Sequence, residues 1–312
     1  MTRAISCHML APCVSIALPV YNGGPLVTQA IESILTQSFS NFELLIADNA
    51  STDDTESICR SYAACDPRVR YFRHAANIGA GRNFNFLFHH ARGRYFKWAA
   101  HDDLLEHEYL ARCVDVLNRD PSVSLVHTDV RYIDEQGNEI DRFTLDRTFA
   151  ASTRLARFRA VIDAYDFSAI WGVMRRAQVS RTNLIPLYCG SDRLFLAEMA
   201  LRGRVVIVPE CLFSWRMYNG CYRRNNMSVK SQRWLWWDPS KRAWPMRLTL
   251  SRLAHGAAIV TRVPMSMHER AACMAAITSW TAKPLLRKFA RARTTQQPLP
   301  SQRNDTLSNL TP

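Results

Sequence analysis

Residues 14–24, VSIALPVYNGG, place a run of β-forming side chains directly before a polar turn that contains two glycines. The apolar run at 14–18 predicts a buried strand that stops at Pro19. Beyond the turn, apolar residues recur at helical spacing, at Val27, Ile31, Ile34 and Leu35. The stretch therefore predicts a strand, a turn and a helix in that order.

The same unit repeats as far as residue 103. Strands are predicted at 42–47, 69–72 and 95–99, and helical patterns lie between them at 53–62 and 81–90. Ser51, Thr52 and Asp53 offer an N-cap for the first of these helices. Strands that alternate with helices at this spacing predict an α/β fold, with a mostly parallel, Rossmann-like sheet that is flanked by helices on both faces.

The pattern changes after residue 120. The segment 123–133, VSLVHTDVRYI, predicts one or two strands. A further strand is predicted at 170–174, a helix at 192–201 and a last strand at 205–208. We therefore expect one domain over residues 12–228, a basic, Trp-rich helical extension over 229–293 and a disordered tail over 294–312.

The net charge of +13 is concentrated at the C-terminal end of the chain. Residues 229–312 carry 14 Lys and Arg against 3 Asp and Glu. Short amphipathic patterns lie among these charges, and five of the eight tryptophans fall here, at Trp234, Trp236, Trp237, Trp244 and Trp280. One pattern contains Leu285, Leu286 and Phe289, and a second contains Leu250, Leu253 and Ala257. This composition predicts contact with an anionic membrane surface. Packing of these helices on the preceding domain is the alternative, and we do not expect a nucleic-acid partner.

Cysteine usage and hydropathy indicate the compartment. The nine cysteines are scattered without a CxxC pair, which is typical of free thiols in a reducing cytosol. No apolar run reaches the 18 or more residues that a membrane-spanning helix needs. We therefore expect a cytoplasmic protein that lies at the inner face of the membrane.

Polar side chains follow each of the first four strands. They are Tyr21-Asn22, Asp48-Asn49, Asn77 and Asp102-Asp103. Ligands of parallel α/β sheets bind outside the carboxyl ends of the strands. The candidate site is therefore predicted at this edge of the sheet.

The strongest chemical signal at this edge is the pair Asp102-Asp103. Two adjacent carboxylates can hold Mg2+ or Mn2+, which share their ligand shell with diphosphate oxygens. The alternative is that the pair caps a helix that begins near Leu104.

Three further residues are candidates for chemical roles. Asp48 could accept a hydrogen bond from a nucleoside or serve in a turn. Arg82 opens a helix, where a guanidinium and free N–H groups could face a diphosphate. Asp192 opens the helix at 192–201 and is either a general base or an acid favoured by the helix dipole.

Taken in order, these motifs resemble the signature of family 2 glycosyltransferases over roughly residues 12–220. The motifs are PVYN at 19–22, DNASTD at 48–53, NIG at 77–79 with Arg82-Asn83, and Asp102-Asp103. Gly190-Ser191-Asp192 is similar to the Glu-Asp motif that supplies the family's base, and Arg216-Met217-Tyr218 resembles its Arg-x-His segment. The resemblance implies a GT-A fold, a nucleotide-sugar donor and inversion at the anomeric carbon.

The resemblance also implies roles for single residues. Asp192 would be the catalytic base, and Asp102 and Asp103 would hold the metal ion, Mg2+ or Mn2+. Residues 12–120 would bind the donor, and residues 121–228 would form the acceptor half, for a glycan or lipid-linked acceptor in cell-envelope or extracellular polysaccharide synthesis. The candidate substrate-binding residues are Pro19, Tyr21, Asn22, Asp48, Asn49, Ser51, Asn77, Gly79, Arg82, Asn83, Asp102, Trp171, Arg216 and Tyr218.

Three positions depart from the family pattern. Ala100 stands where the metal motif has an earlier Asp, Ser191 replaces a Glu, and Tyr218 replaces a His. Two alternatives remain at this point: a metal-dependent nucleotidyltransferase, and a non-catalytic basic protein that binds membrane or nucleic acid.

Overall fold

A computed structural model describes residues 11–145, 147–164, 167–188, 190–218 and 245–294. Its first half contains β1 (Val14–Val20), α1 (Leu26–Leu35), β2 (Phe42–Asp48), α2 (Thr55–Cys65), β3 (Val69–Arg73), α3 (Ala80–His90), β4 (Tyr95–Trp98), β5 (Leu104–Leu105) and α4 (Tyr109–Arg119). The second half contains β6 (Val123–Ile133), β7 (Glu139–Phe143), α5 (Arg154–Asp163), β8 (Val173–Arg175), α6 (Arg176–Val179), α7 (Ser191–Arg202), β9 (Arg204–Arg216), α8 (Pro245–Arg262) and α9 (Met267–Thr294).

In the described ranges the strands form one mixed sheet in the order β3-β2-β1-β4-β8-β6-β9-β5, with β7 paired to β6. β1, β2, β3 and β4 run parallel, and so do β6 and β9. Every residue of β1, β2 and β4 is buried, because helices cover both faces of this part of the sheet. The prediction of a mostly parallel, helix-flanked α/β sheet is confirmed.

The first strand extends past Pro19, which was predicted to end it. β1 continues to Val20 and pairs with β2 along its whole length, so that Pro19 lies opposite Ala47. On its other side β1 pairs with β4 only as far as Ala17. Proline lacks an N–H group, and it is accommodated here because the strand has become an edge at this point.

Two predicted helix starts were wrong. α2 begins at Thr55, not after a cap at 51–53, although the Asp53 Oδ1 atom accepts from the Thr55 N–H group at 3.1 Å. No helix begins near Leu104, because Leu104 and Leu105 form β5, which pairs with β9, and α4 starts at Tyr109. The metal-motif carboxylates therefore do not cap a helix.

The basic extension packs on the domain in the part that the structure describes. α8 contacts α7, and α9 contacts both α8 and α5. Leu253 packs against the core while Leu250 is exposed, so these two leucines do not form one uniform membrane-facing surface. Trp234, Trp236, Trp237, Trp244, the boundary at 229 and the tail beyond Thr294 lie outside the described residues, as do the side chains of Leu285, Leu286 and Phe289. None of the described helices has the length and apolarity to span a bilayer.

Candidate active site

The loops after β1 and β2 are joined by hydrogen bonds between side chains and backbone. The Asn22 N–H group donates to Ser51 Oγ at 2.9 Å, and Asn22 Oδ1 accepts from the Thr52 N–H group at 2.9 Å. Gly23 and Gly24 donate to side chains of the second loop, to Thr55 and Asp53. Asn22 and Ala50 both have positive φ angles, of 50° and 63°, which such mutual support can hold in place.

A second set of hydrogen bonds joins the ends of β2 and β3. Asn49 Nδ2 donates to Asn77 Oδ1 at 2.9 Å, and Asn49 Oδ1 accepts from the Ile78 N–H group at 2.8 Å. Asn77 Oδ1 also accepts from Gly79, whose φ of 84° brings the chain into the first turn of α3. The predicted edge is therefore a connected structure that runs from β1 to β3.

Asp48 lies at the centre of this edge and is fully buried. One carboxylate oxygen accepts from the Ser51 N–H group at 2.8 Å. The other accepts from the Tyr71 hydroxyl at 2.8 Å and from Arg73 Nη1 at 2.7 Å. The carboxylate thus has three partners inside the protein, and a nucleoside would have to share it with them.

The two residues predicted at α3 have different environments. Asn83 is buried and joins α3 to the end of β2, since its Nδ2 atom donates to the Ala47 carbonyl at 2.8 Å. Arg82 is exposed on the first turn, and its Nη1 atom reaches the Ile78 carbonyl at 3.2 Å. Tyr21 is also exposed, at 44%, whereas Pro19 is buried in β1. Arg82 and Tyr21 are therefore accessible to a ligand at this edge.

The pair Asp102-Asp103 follows β4 and is tied to the end of β9. Tyr218 donates from its hydroxyl to Asp102 Oδ2 at 3.1 Å. The Arg216 N–H group donates to Asp103 Oδ1 at 2.9 Å. The substituted family position Tyr218 thus contacts the carboxylate pair directly.

The carboxylates of Asp102 and Asp103 suit a hard divalent cation. Burial, together with the charge of Asp102, raises the pKa of Asp103 well above its usual range. A bound cation would relieve this repulsion. Within the described part of the chain, no cluster of three or more His, Cys, Asp or Glu side chains forms a richer metal site. Mg2+ or Mn2+ held here would take its other ligands from water and phosphate oxygens.

Arg216 was predicted to contact the donor, but its guanidinium bonds inside the protein. It is fully buried and donates to the carbonyls of Asp102 at 2.8 Å, Asp134 at 3.1 Å and Glu135 at 2.7 Å. It also donates to Gln29 Oε1 at 2.7 Å. These contacts give Arg216 a positioning role for the turn at residues 102 and 103, and donor contact stays a prediction.

A buried polar group under Trp171 was not predicted from the sequence. The Trp171 carbonyl accepts from Lys97 Nζ and, at 3.1 Å, from the Tyr109 hydroxyl. Burial lowers the pKa of Lys97 to about 7. The sequence feature that could have indicated this buried group is the lysine within the apolar strand segment FKW at 96–98. The Trp171 ring itself is half-buried, 6.2 Å from the Phe84 ring of α3.

Asp192 lies in the first turn of α7 and is half-buried. Its Oδ1 atom accepts from the Arg193 N–H group at 2.9 Å. Burial raises the pKa of Asp192, and the Arg193 N–H group and the positive charges of Arg193 and Arg252 oppose the shift. A carboxylate whose pKa is raised in this way is better suited to accept a proton near neutral pH.

Comparison with known families identifies the fold and the class. The model of the family described as Glycosyl transferase family 2 matches residues 15–185, which is more than half of the chain. The chain belongs to this family. The match includes the four strand ends and stops before α7, so it does not include the Asp192 position.

Curated relatives match shorter stretches of the chain, and some of them are named as glycosyltransferases. An uncharacterized glycosyltransferase of Rickettsia felis is 33% identical over 136 residues, which are 43% of this chain and 22% of the relative. Chondroitin synthase of Escherichia coli is 37% identical over 129 residues, 41% of this chain and 19% of that protein. An uncharacterized protein of Sinorhizobium fredii is 39% identical over 132 residues, 42% of this chain and 14% of the relative. The matched region thus makes up less than a quarter of each of these three proteins.

Solved structures extend the likeness to the second half. TarS of S. aureus in complex with UDP-GlcNAc superposes with a TM-score of 0.63 at 17% identity, over 90% of this chain and 74% of that one. The mannosyltransferase PcManGT of Pyrobaculum calidifontis, in complex with GDP-Man and Mn2+, superposes with a TM-score of 0.56 at 19% identity, over 93% and 77%. The predictions of a family 2 glycosyltransferase and a GT-A fold are confirmed, and the nucleotidyltransferase and non-catalytic alternatives are set aside.

Proposed function

We propose that this protein is an inverting glycosyltransferase that moves a sugar from a nucleoside diphosphate onto an acceptor hydroxyl. The observation that carries the proposal is the connected edge formed by the ends of β1, β2 and β3, beside the end of β4. There, Asn22, Asn49 and Asn77 are held by one another or by neighbouring loops, and Asp102-Asp103 lies at the adjacent strand end. Neighbours with the same fold were solved with UDP-GlcNAc and with GDP-Man, which supports a nucleotide-sugar donor.

In the proposed reaction Asp192 takes the proton of the acceptor hydroxyl. The acceptor oxygen then attacks the anomeric carbon from the face opposite the diphosphate. A new C–O bond forms as the bond to the diphosphate oxygen breaks, so the configuration inverts and the nucleoside diphosphate leaves. Holding the two substrates in line supplies part of the rate enhancement.

The departing diphosphate needs compensation for its charge. Mg2+ or Mn2+ on Asp102 and Asp103 would supply Lewis-acid charge stabilisation when bound. In the chain itself, the first turn of α3 offers the positive end of a helix dipole, and the exposed Arg82 lies on that turn. Arg216 maintains the carboxylate turn through its bond to the Asp102 carbonyl.

We further propose a glycan or lipid-linked acceptor in cell-envelope or extracellular polysaccharide synthesis, with the enzyme at the inner face of the membrane. The Escherichia coli relative is named for chondroitin synthesis, which supports a polysaccharide product. Among the 14 basic residues after residue 228, Arg252 and Arg262 make contacts inside the protein. Those of the others that face solvent would favour an anionic lipid surface, where each is worth about 1 kcal/mol.

A donor screen tests the proposal. The full-length protein is incubated with Mn2+ and UDP-GlcNAc, UDP-glucose, UDP-glucuronate, GDP-mannose or dTDP-rhamnose, and release of the nucleoside diphosphate is measured. We expect release from one donor class, slow with water and faster with the correct glycan acceptor, and an inverted anomeric signal in proton NMR. Retention of configuration, or release of pyrophosphate in place of the nucleoside diphosphate, would contradict the proposal.

A further inference from the structure

The C-terminal helices are anchored to the helix that carries Asp192. Glu198, in the middle of α7, is fully buried and pairs with Arg202 of the same helix at 2.5 Å and with Arg262 of α8 at 2.8 Å. A second anchor joins Tyr188, just before α7, to His255 of α8, with 2.7 Å between the Tyr188 hydroxyl and His255 Nδ1. α8 is therefore held to α7 and to the segment that leads into it.

A third contact lies next to the candidate base. Gly190 precedes α7 in a left-handed conformation, with φ of 83°. A Cβ atom placed on Gly190 would lie 3.0 Å from Arg252 Nη2, so the guanidinium of α8 fills the space that a side chain would need. The glycine at position 190 thus allows Arg252 to approach the first turn of α7.

α9 fixes the orientation of this arginine. The Arg252 guanidinium lies over the Trp280 ring, 4.5 Å from its centroid. Arg193 lies over the Phe167 ring at 4.1 Å and reaches the same Trp280 ring at 5.4 Å. Trp280 therefore packs against two cations that flank Asp192, one from α7 and one from α8.

The positive charges that face Asp192 lower the pKa of its carboxyl group. Arg193 and Arg252 favour its carboxylate form, against burial, which favours the neutral form. Of the other titratable groups packed there, Tyr188 has its pKa raised by burial, and His255 has its pKa lowered to about 4 by burial and by Arg262, so both are neutral near pH 7. Asp163 of α5 interacts with Arg193. Arg252 is thus the cation that α8 contributes to the environment of Asp192.

We propose that α8 and α9 belong to the active site, and that Arg252 is a positioning residue that holds the turn at residues 190–192 and keeps Asp192 in its base form. This proposal rests on the proposed role of Asp192 as the base. It gives the basic extension a task in catalysis that is separate from any contact with lipid.

The test compares Arg252→Met and Arg252→Lys with the wild-type full-length protein. Arg119→Met serves as the matched control, because Arg119 is an exposed arginine on α4 that pairs only with Asp115 in the described contacts. The pKa of Asp192 is read directly from the carboxyl signal of 13C-labelled protein, assigned by its loss in Asp192→Asn. The rate of UDP or GDP release is measured from pH 5 to 9 with the donor that the screen identifies.

Removal of the positive charge raises the pKa of Asp192, so the base form is lost at a higher pH. We expect Arg252→Met to move both the carboxyl titration and the acidic limb of the rate profile upward by about one pH unit, a roughly tenfold loss of rate on that limb. Arg252→Lys keeps the charge and should leave the acidic limb of the rate profile at its wild-type pH. In Arg119→Met, Asp192 should titrate as in the wild type.

Each outcome decides one proposal. An unchanged Asp192 titration in Arg252→Met, or a shift as large in Arg252→Lys as in Arg252→Met, overturns the role of Arg252. If the NMR titration shifts while the wild-type protein releases no nucleotide from any donor, the placement of Arg252 stands and the proposed function fails. Should Arg252→Met not fold, Arg252→Gln takes its place in the same comparison.

Discussion

Arg216 offers the most direct test of how the carboxylate pair is held. The guanidinium is fully buried, and its four side-chain hydrogen bonds join three separate parts of the chain. Two reach the Asp134 and Glu135 carbonyls after β6, one reaches the Asp102 carbonyl, and one reaches Gln29 in α1. The perturbation is Arg216→Met, which keeps most of the side-chain length and removes all four donors.

The structure sets the size of the effect. A hydrogen bond to a charged group contributes about 1.5–3 kcal/mol, so four such bonds give an upper bound of about 6–12 kcal/mol. Water will donate hydrogen bonds to some of the carbonyl oxygens that lose the Arg216 donors, and the methionine side chain retains some of the packing. We therefore expect Arg216→Met to lower the free energy of unfolding by about 3–5 kcal/mol, below this bound, because each buried carbonyl left without a donor costs about 1–3 kcal/mol. Arg216→Lys keeps the charge but cannot make the same planar set of contacts, and it should lose less.

The assay is urea unfolding of the full-length protein, followed by circular dichroism, with Arg119→Met as the surface control, for which a change within about 0.5 kcal/mol is expected. Donor binding is measured on the same variants by calorimetry. If Arg216→Met changes the free energy of unfolding by less than about 1 kcal/mol while donor affinity falls, the positioning role is wrong and Arg216 contacts the donor, as the sequence predicts.

Three further changes test the other assignments. Asp103→Asn keeps an oxygen for the Arg216 N–H group but removes a charge that burial disfavours, so without metal it should unfold at an equal or higher temperature than wild type. It should lose the thermal stabilisation that Mn2+ with UDP or GDP gives the wild type. Retained stabilisation would refute the metal role. Asp192→Asn should lose roughly 10²–10⁴-fold in transfer rate with donor affinity unchanged, since a general base acts on the acceptor; weaker donor binding with normal turnover would refute that role. Sedimentation with anionic vesicles at low salt should fall when four basic residues of the extension are replaced by Gln, namely Arg287, Lys288, Arg291 and Arg293. The same change at four exposed arginines of the domain should leave it unchanged, namely Arg60, Arg112, Arg119 and Arg142. Equal effects of the two sets would refute a specific contact with lipid.

Most of the first half of the fold could be predicted from sequence because β1, β2 and β4 are buried on both faces. Their apolar runs end at polar residues, and the edge at Asn22, Asp48, Asn77 and Asp102 follows from that pattern alone. The second half of the fold was harder to predict from the sequence. β9 extends from 204 to 216, although only 205–208 was predicted. Pro209 and Glu210 interrupt the apolar run, and an irregularity in the pairing with β6, between Thr128 and Asp129, absorbs them.

The environments of the site residues also lay beyond the sequence. Position suggested a nucleoside contact for Asp48, and the family resemblance suggested ligand contacts for Asn83 and Arg216, but each makes hydrogen bonds inside the protein. Those partners, such as Arg73 for Asp48 and Ala47 for Asn83, are set by tertiary packing across tens of residues. For the same reason, nothing in the sequence around Arg252 indicated that it lies beside Gly190.

Trp98, the last residue of β4, has a consequence for engineering this enzyme. Its ring packs edge-on against Phe195 of α7 at 5.2 Å and against Phe84 of α3 at 6.1 Å, and its Nε1 atom donates to the Phe84 carbonyl at 3.2 Å. One indole thus contacts both the helix of the candidate base and the helix at the proposed diphosphate site. A chimera that imports the segment after residue 185 from another family member, to change the acceptor, must therefore bring an aromatic partner for Trp98 at position 195. A graft that lacks one would leave a cavity between the two helices and misalign the two substrates, even if every residue that touches them were retained.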